Sequence, residues 1–189
     1  MEIPPEISEA VERVFPAVEG MAGGRFPNWR PGPDMEARGL LYLDEFSLSE
    51  VQVAAIAEAA AELGEQACYL SYVERYEAPV TQDFELESLS IDRYLELRPD
   101  VNLDHVVVSR RGQWGFYVDN DGVAVLAGPE QFITSLYRTL PSAKEQATRY
   151  ASEILSINIP GLHAWLRDLL NAILGPEDAA AVLSAAEAS

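Results

Sequence analysis

Between residues 104 and 128 the chain reads DHVVVSRRGQWGFYVDNDGVAVLAG, and this stretch leaves little freedom in what the rest can become. Residues 105–110 are rich in valine, 113–119 carry Trp114, Phe116 and Tyr117, and 122–127 hold Val123, Val125 and Leu126. β-Branched and aromatic side chains fill a pleated, half-buried surface well, so each run predicts a strand. Arg111-Gly112 and Asp119-Asn120-Asp121-Gly122 stand at the two joints, with residues that accept the left-handed backbone of tight turns. The result is an antiparallel meander. Directly after it comes Pro129, with Phe132, Ile133, Leu136, Tyr137 and Leu140 at helical spacing, which predicts a helix folding back on the sheet. The expected fold is α+β: an antiparallel sheet of about four to five strands, with the meander 105–127 central, packed against several helices.

The rest of the chain supplies those helices and the other strands. Residues 5–18 place Ile7, Val11, Val14, Phe15 and Val18 on one stripe, a surface helix that Pro16 shortens. Residues 20–39 hold many Gly and Pro and no apolar periodicity, so they read as an ordered loop or an arm, with Phe26 and Trp29 tucked at the core edge. A short strand is expected at 40–43. Ser49, with Gln52 three residues on, forms a capping box for a helix over 49–63 closed by Gly64. Residues 67–75 alternate Tyr69, Ser71 and Val73 with Cys68, Leu70 and Tyr72, which predicts a central strand covered on both sides. Ser90 caps a short helix ended by Pro99. Further helices are expected at 129–140, 142–156 with Ser142 as cap, and 161–174, and a thinly apolar, alanine-rich helix at 176–189 packs weakly or frays. Trp114 and Trp165 lie among apolar neighbours and are expected to be buried.

At 189 residues with 48% hydrophobic content, one domain is the default, and its core needs no metal or disulfide. Cys68 is the only cysteine, which excludes an internal disulfide. The first residues lack the basic start and apolar run of a signal peptide, and no stretch has the ~20 apolar residues of a membrane span. A soluble, cytoplasmic protein is expected.

Charge is the outstanding global feature. The net charge of -18 repels nucleic acid and anionic membrane and attracts basic protein surfaces. It is uneven: residues 1–100 hold 21 acids against 7 arginines, and the remainder hold 10 acids against 6 bases. Six acids lie between 44 and 65 without one base, so the helix over 49–63 lacks the i to i+4 partners that would neutralise it. A second acidic patch spans 83–96. The candidate partner-binding residues are Asp44, Glu45, Glu50, Glu58, Glu62, Asp83, Glu85, Glu87, Asp92 and Glu96, facing a basic protein.

Motifs for chemistry are missing. The chain has no phosphate-cradling Gly-Lys-Ser/Thr loop, no Gly-x-Ser-x-Gly elbow, no His-Glu-x-x-His and no dinucleotide-binding glycine pattern, so no catalytic residue, cofactor or metal is expected. His105 and His163 are the only histidines, and neither is paired with a nucleophile. Asp119-Asn120-Asp121-Gly122 opens like a calcium loop, but Val125 to Pro129 occupy the later ligand positions; a hairpin turn is the better reading.

The segment 114–132, WGFYVDNDGVAVLAGPEQF, combines Trp114-Gly115, an acid-and-glycine turn at Asp121-Gly122, a valine-rich strand, and Gly128 followed by a helix holding Phe132. In these elements it resembles small bacterial proteins of the immunity class in polymorphic toxin systems. The resemblance implies an inhibitor that binds a toxin domain and blocks its active site, often a basic nuclease domain met by an acidic face. Three classes of function follow: an acidic protein-binding inhibitor, a structural or adaptor subunit of a bacterial or phage assembly, and a small-ligand binder or enzyme.

Overall fold

The computed structural model describes residues 4–16, 31–32, 34–43, 47–73, 83–98, 104–119 and 122–188. The proposed arm with Phe26 and Trp29, the acids Asp44 and Glu45, and Asn120-Asp121 of the turn lie outside the described residues. In chain order the elements are α1 (Pro5–Val14), β1 (Ala37–Tyr42), α2 (Glu50–Glu62), β2 (Cys68–Tyr72), β3 (Asp83–Leu86), α3 (Ile91–Leu97), β4 (His105–Ser109), β5 (Gly115–Asp119), β6 (Val123–Gly128), α4 (Glu130–Thr139), α5 (Ala143–Ser156), α6 (Leu162–Leu174) and α7 (Pro176–Glu187). None of these helices is long and apolar enough to cross a membrane.

The fold is α+β, built on one antiparallel sheet of six strands in the order β1-β6-β5-β4-β2-β3. The meander β4-β5-β6 forms its middle, with Val107 opposite Phe116 and Phe116 opposite Leu126. Gly122 has φ 89°, and its N–H bonds Asp119 O, closing the second hairpin turn. The sheet has one strand more than the sequence predicts. The addition is β3, Asp-Phe-Glu-Leu, whose two acids break the apolar run that would announce a strand. It pairs only with β2, so it forms one edge of the sheet. A short, charged strand suits that place, because charge on an edge discourages pairing with other chains. Ser71 Oγ donates to Asp83 Oδ1 across this pair at 2.7 Å.

Both faces of the sheet are buried, and strand alternation sorts the side chains. Cys68, Leu70, Val107, Phe116, Val118, Ala124 and Leu126 point to one face and pack with α2, α3 and α4. Leu40, Val106, Val108, Tyr117, Val123, Val125 and Ala127 point to the other, beneath α1, α5, α6 and α7. A period of two explains why β2 is covered on each side as predicted, although it lies one place from the edge rather than at the centre.

Local signals set the helix limits. Ser49 and Gln52 form the expected capping box, each side chain bonded to the other's backbone. Ser90 accepts from Arg93 N at the start of α3. Ser142 does not cap α5: it sits in the right-handed helical region, and its hydroxyl accepts from the Gln146 side chain at 3.4 Å rather than from a backbone N–H, since the tight turn after α4 already has helical geometry there. Trp114 is fully buried, its indole N–H donating to Glu65 O at 2.8 Å. Trp165 is only half-buried, because it lies on the flank of α6, whose buried stripe is Leu162, Leu166, Leu170 and Ile173. α7 docks on α5 and α6 through buried Ala179 and Ala186. Between them α4 and α5 wrap around the β1 edge, α4 on one face and α5 on the other. Tyr137 Oη accepts from the outward-facing Leu40 N–H at 3.0 Å, which satisfies an edge amide. Gly39 makes this possible, since a Cβ there would meet that hydroxyl at 2.8 Å.

Candidate functional site

Of the acidic residues singled out by the sequence, Glu50, Glu58 and Glu62 fall on α2, Asp83 and Glu85 on β3, Glu87 just after it, and Asp92 and Glu96 on α3. Residues 47–73 and 83–98 together hold nine carboxylates against Arg93 and Arg98. The two helices are neighbours: Leu48, at the entrance to α2, makes a backbone hydrogen bond to the Tyr94 hydroxyl of α3. Tyr94 in turn shares a 2.9 Å hydrogen bond with His105 Nε2 and sits edge-on to Phe116, which ties α3 to the sheet. His105 is thus a satisfied core residue. His163 is exposed, with Nε2 3.1 Å from Ile157 O.

Tertiary structure supplies several acids with partners that the sequence does not suggest. Arg138, from α4, pairs with Glu62, and the Ser135 hydroxyl, then Arg138, hold the Glu62 carboxyl below its usual range. Glu58 accepts from Thr139 Oγ1 at 3.3 Å. Arg110, in the turn after β4, lies 2.9 Å from both Glu85 and Glu87. Arg111 pairs with Glu65, and Arg93 with Glu96 on its own helix. The expectation that α2 lacks basic partners therefore holds within the helix and fails across the fold. Asp83 is taken by Ser71. Glu50, in the first turn of α2, and Asp92, in the first turn of α3, remain exposed, and each sits where the positive end of a helix dipole favours a carboxylate.

Sequence reasoning missed the apolar members of this surface. Val51 is 61% exposed beside Glu50, and Leu95 is 47% exposed between Asp92 and Glu96. Each is a large apolar side chain that projects from a regular helix next to carboxylates. A clue was present in the sequence, because Val51 and Leu95 lie off the stripes that carry Val53 and Ile56 on α2 and Tyr94 and Leu97 on α3.

Other chemistry-bearing groups are occupied structurally. Cys68 lies in the core, where burial pushes its thiol up to about 12, so it stays protonated and unreactive at neutral pH. Trp114 stacks on Phe132 with ring centres 5.3 Å apart, and Gly128 lets both approach. Comparison with known protein families, curated proteins and solved structures returns no match.

Proposed function

We propose that this protein is an acidic cytosolic inhibitor that binds a basic protein domain, in the manner of the toxin-immunity proteins that residues 114–132 resemble. What carries the reading is two neighbouring acidic helices that each expose a large apolar side chain: Val51 on α2 with Glu50 and Glu58, and Leu95 on α3 with Asp92 and Glu96. The acids steer a basic partner into encounter, and the two apolar side chains hold it once docked. Steering of this kind raises association rates and weakens as salt screens the charges. Glu62, Glu85 and Glu87, paired with arginines of this chain, are partly neutralised and contribute less to the steering field.

The test takes a basic protein domain captured by the full chain in a pull-down, with association and dissociation rates measured at low and high salt. The combined change Glu50→Gln, Glu58→Gln and Asp92→Asn leaves the ion pairs to Arg110 and Arg138 in place, so the fold holds while association slows about tenfold at low salt. Val51→Ala with Leu95→Ala speeds dissociation by about fivefold or more, the scale of a lost contact worth roughly 1 kcal/mol. A partner whose rates ignore salt, the charge changes and the apolar changes alike would sink this reading.

A further inference from the structure

At the β1 edge, far along the sheet from β3, the two cores meet around a cavity of about 330 Å³. Its walls come from five elements: β1, the end of α4, α5, the end of α6 and the start of α7. Most of the lining is apolar, from Ala143, Ala147, Ile173, Leu174, Ala181 and Val182. Alanine stands on α5 and α7 where larger side chains would close the space. The volume is at the small end of the roughly 300–1,000 Å³ of ligand pockets.

Besides the Thr148 hydroxyl, two hydrogen-bond donors line this apolar space. Arg38 is half-buried and held in place, with Nη1 donating to Ala172 O at 2.7 Å and Nη2 to Gly32 O at 3.4 Å. Those carbonyls use two of the five N–H groups of a guanidinium, and among the described residues Arg38 has no carboxylate within ion-pair distance. Tyr137 is the second donor. Its oxygen already accepts from Leu40 N, and its own hydrogen has no acceptor among the described residues. Burial, with Asp178 nearby, raises its pKa, so the group stays a neutral donor at physiological pH. The carboxylate that lines the cavity is Asp178, an exposed side chain.

We propose that this cavity binds a small apolar carboxylic acid, its chain among the alanines and its carboxylate on Arg38 and the Tyr137 hydroxyl. A guanidinium without a carboxylate partner and a phenol proton without an acceptor, among the described residues, both call for an anion. The apolar walls limit that anion to one with a hydrocarbon body. An amine would instead seek Asp178, which makes acid against amine the discriminating comparison.

Calorimetric titration of the full chain with hexanoate, hexanamide and hexylamine at neutral pH decides the matter. Hexanoate is expected to bind at one saturable site at least tenfold tighter than hexanamide, with hexylamine no better than the amide. Ala181→Phe fills the cavity from an exposed position that the fold tolerates, and it should abolish binding. Arg38→Met should weaken hexanoate at least tenfold while leaving hexanamide unchanged, a split that simple loosening of α6 would not produce. If Arg38→Met does not fold, the three probes and Ala181→Phe still decide. No saturable binding of hexanoate, equal or tighter binding of the amide or amine, or unaltered hexanoate binding by Ala181→Phe would each overturn the assignment.

Discussion

The two faces of the sheet are packed by different means. Under α2, α3 and α4 the core is aromatic and closely fitted: Trp114 stacks on Phe132 at an interplanar angle of 20°, Tyr94 meets Phe116 edge-on, and a Cβ at Gly128 would lie 3.0 Å from the Phe132 ring. Beneath α5, α6 and α7 the helix contacts are made by aliphatic side chains together with buried Ala147, Ala151, Ala179 and Ala186, and helix contact there is close yet leaves the 330 Å³ cavity at the β1 edge. Large rings lock one arrangement, because displacing any of them opens a void. Alanines bring helix backbones together with little side-chain interlock, and space remains for something else. The first face fixes the fold, and the second can accommodate a ligand.

The largest test of that contrast is Trp114→Ala, which should cost about 3–5 kcal/mol in urea unfolding, since the ring is fully buried and its neighbours are fixed by the sheet. Next is an alkaline loss specific to the aromatic face. Cys68 there is raised from an ordinary 9.0 to about 12 by burial. The unfolded thiol therefore releases its proton first, and this contribution to stability is complete below about pH 9 and declines toward pH 12. It amounts to on the order of 4 kcal/mol by the upper end of that window. Buried Tyr94, also raised, acts in the same direction. Unfolding of wild type and Cys68→Ala from neutral pH to pH 12 should show the steeper fall in wild type; parallel curves would remove Cys68 from the account.

Smaller effects sharpen the comparison. Gly128→Ala should destabilise by about 1–3 kcal/mol, because the new Cβ also lies 3.1 Å from Trp114 Cβ and neither neighbour can yield easily. On the other face, Ile173→Val removes one methylene beside a space that already exists, so about 0.5–1.5 kcal/mol is expected, toward the low end. Should Ile173→Val cost as much as Gly128→Ala in the same unfolding assay, the two faces would not differ in the way described.

Much of the architecture was legible before the structure. The meander, the capping box at Ser49 and Gln52, and the stripes of α1, α4 and α6 are all signals carried within a few residues of one another, and each appears where its spacing places it. β3 was not legible. Its four residues bury mainly Leu86, and it is a strand because β2 offers a free edge, with Leu70 opposite Phe84 and Cys68 opposite Leu86. Trp165 misled for a related reason: apolar neighbours in sequence are on other sides of a helix, so they say little about which flank is covered.

For the candidate sites the division is sharper. The sequence by itself determined the amount and sign of the charge, the segments that hold it, and the alternation that gives the sheet two apolar faces, because these depend on composition and local period. Only the tertiary structure decided which acids are spoken for. Glu62 and Arg138 are 76 residues apart in the chain and meet because α2 and α4 share one core. The cavity is likewise a product of the fold: Arg38, Tyr137 and Asp178 belong to three elements that converge only where α4 and α5 pass around β1. Ion pairs and cavities depend on atoms brought within a few ångströms by long-range packing, and no period or spacing along a chain encodes that approach.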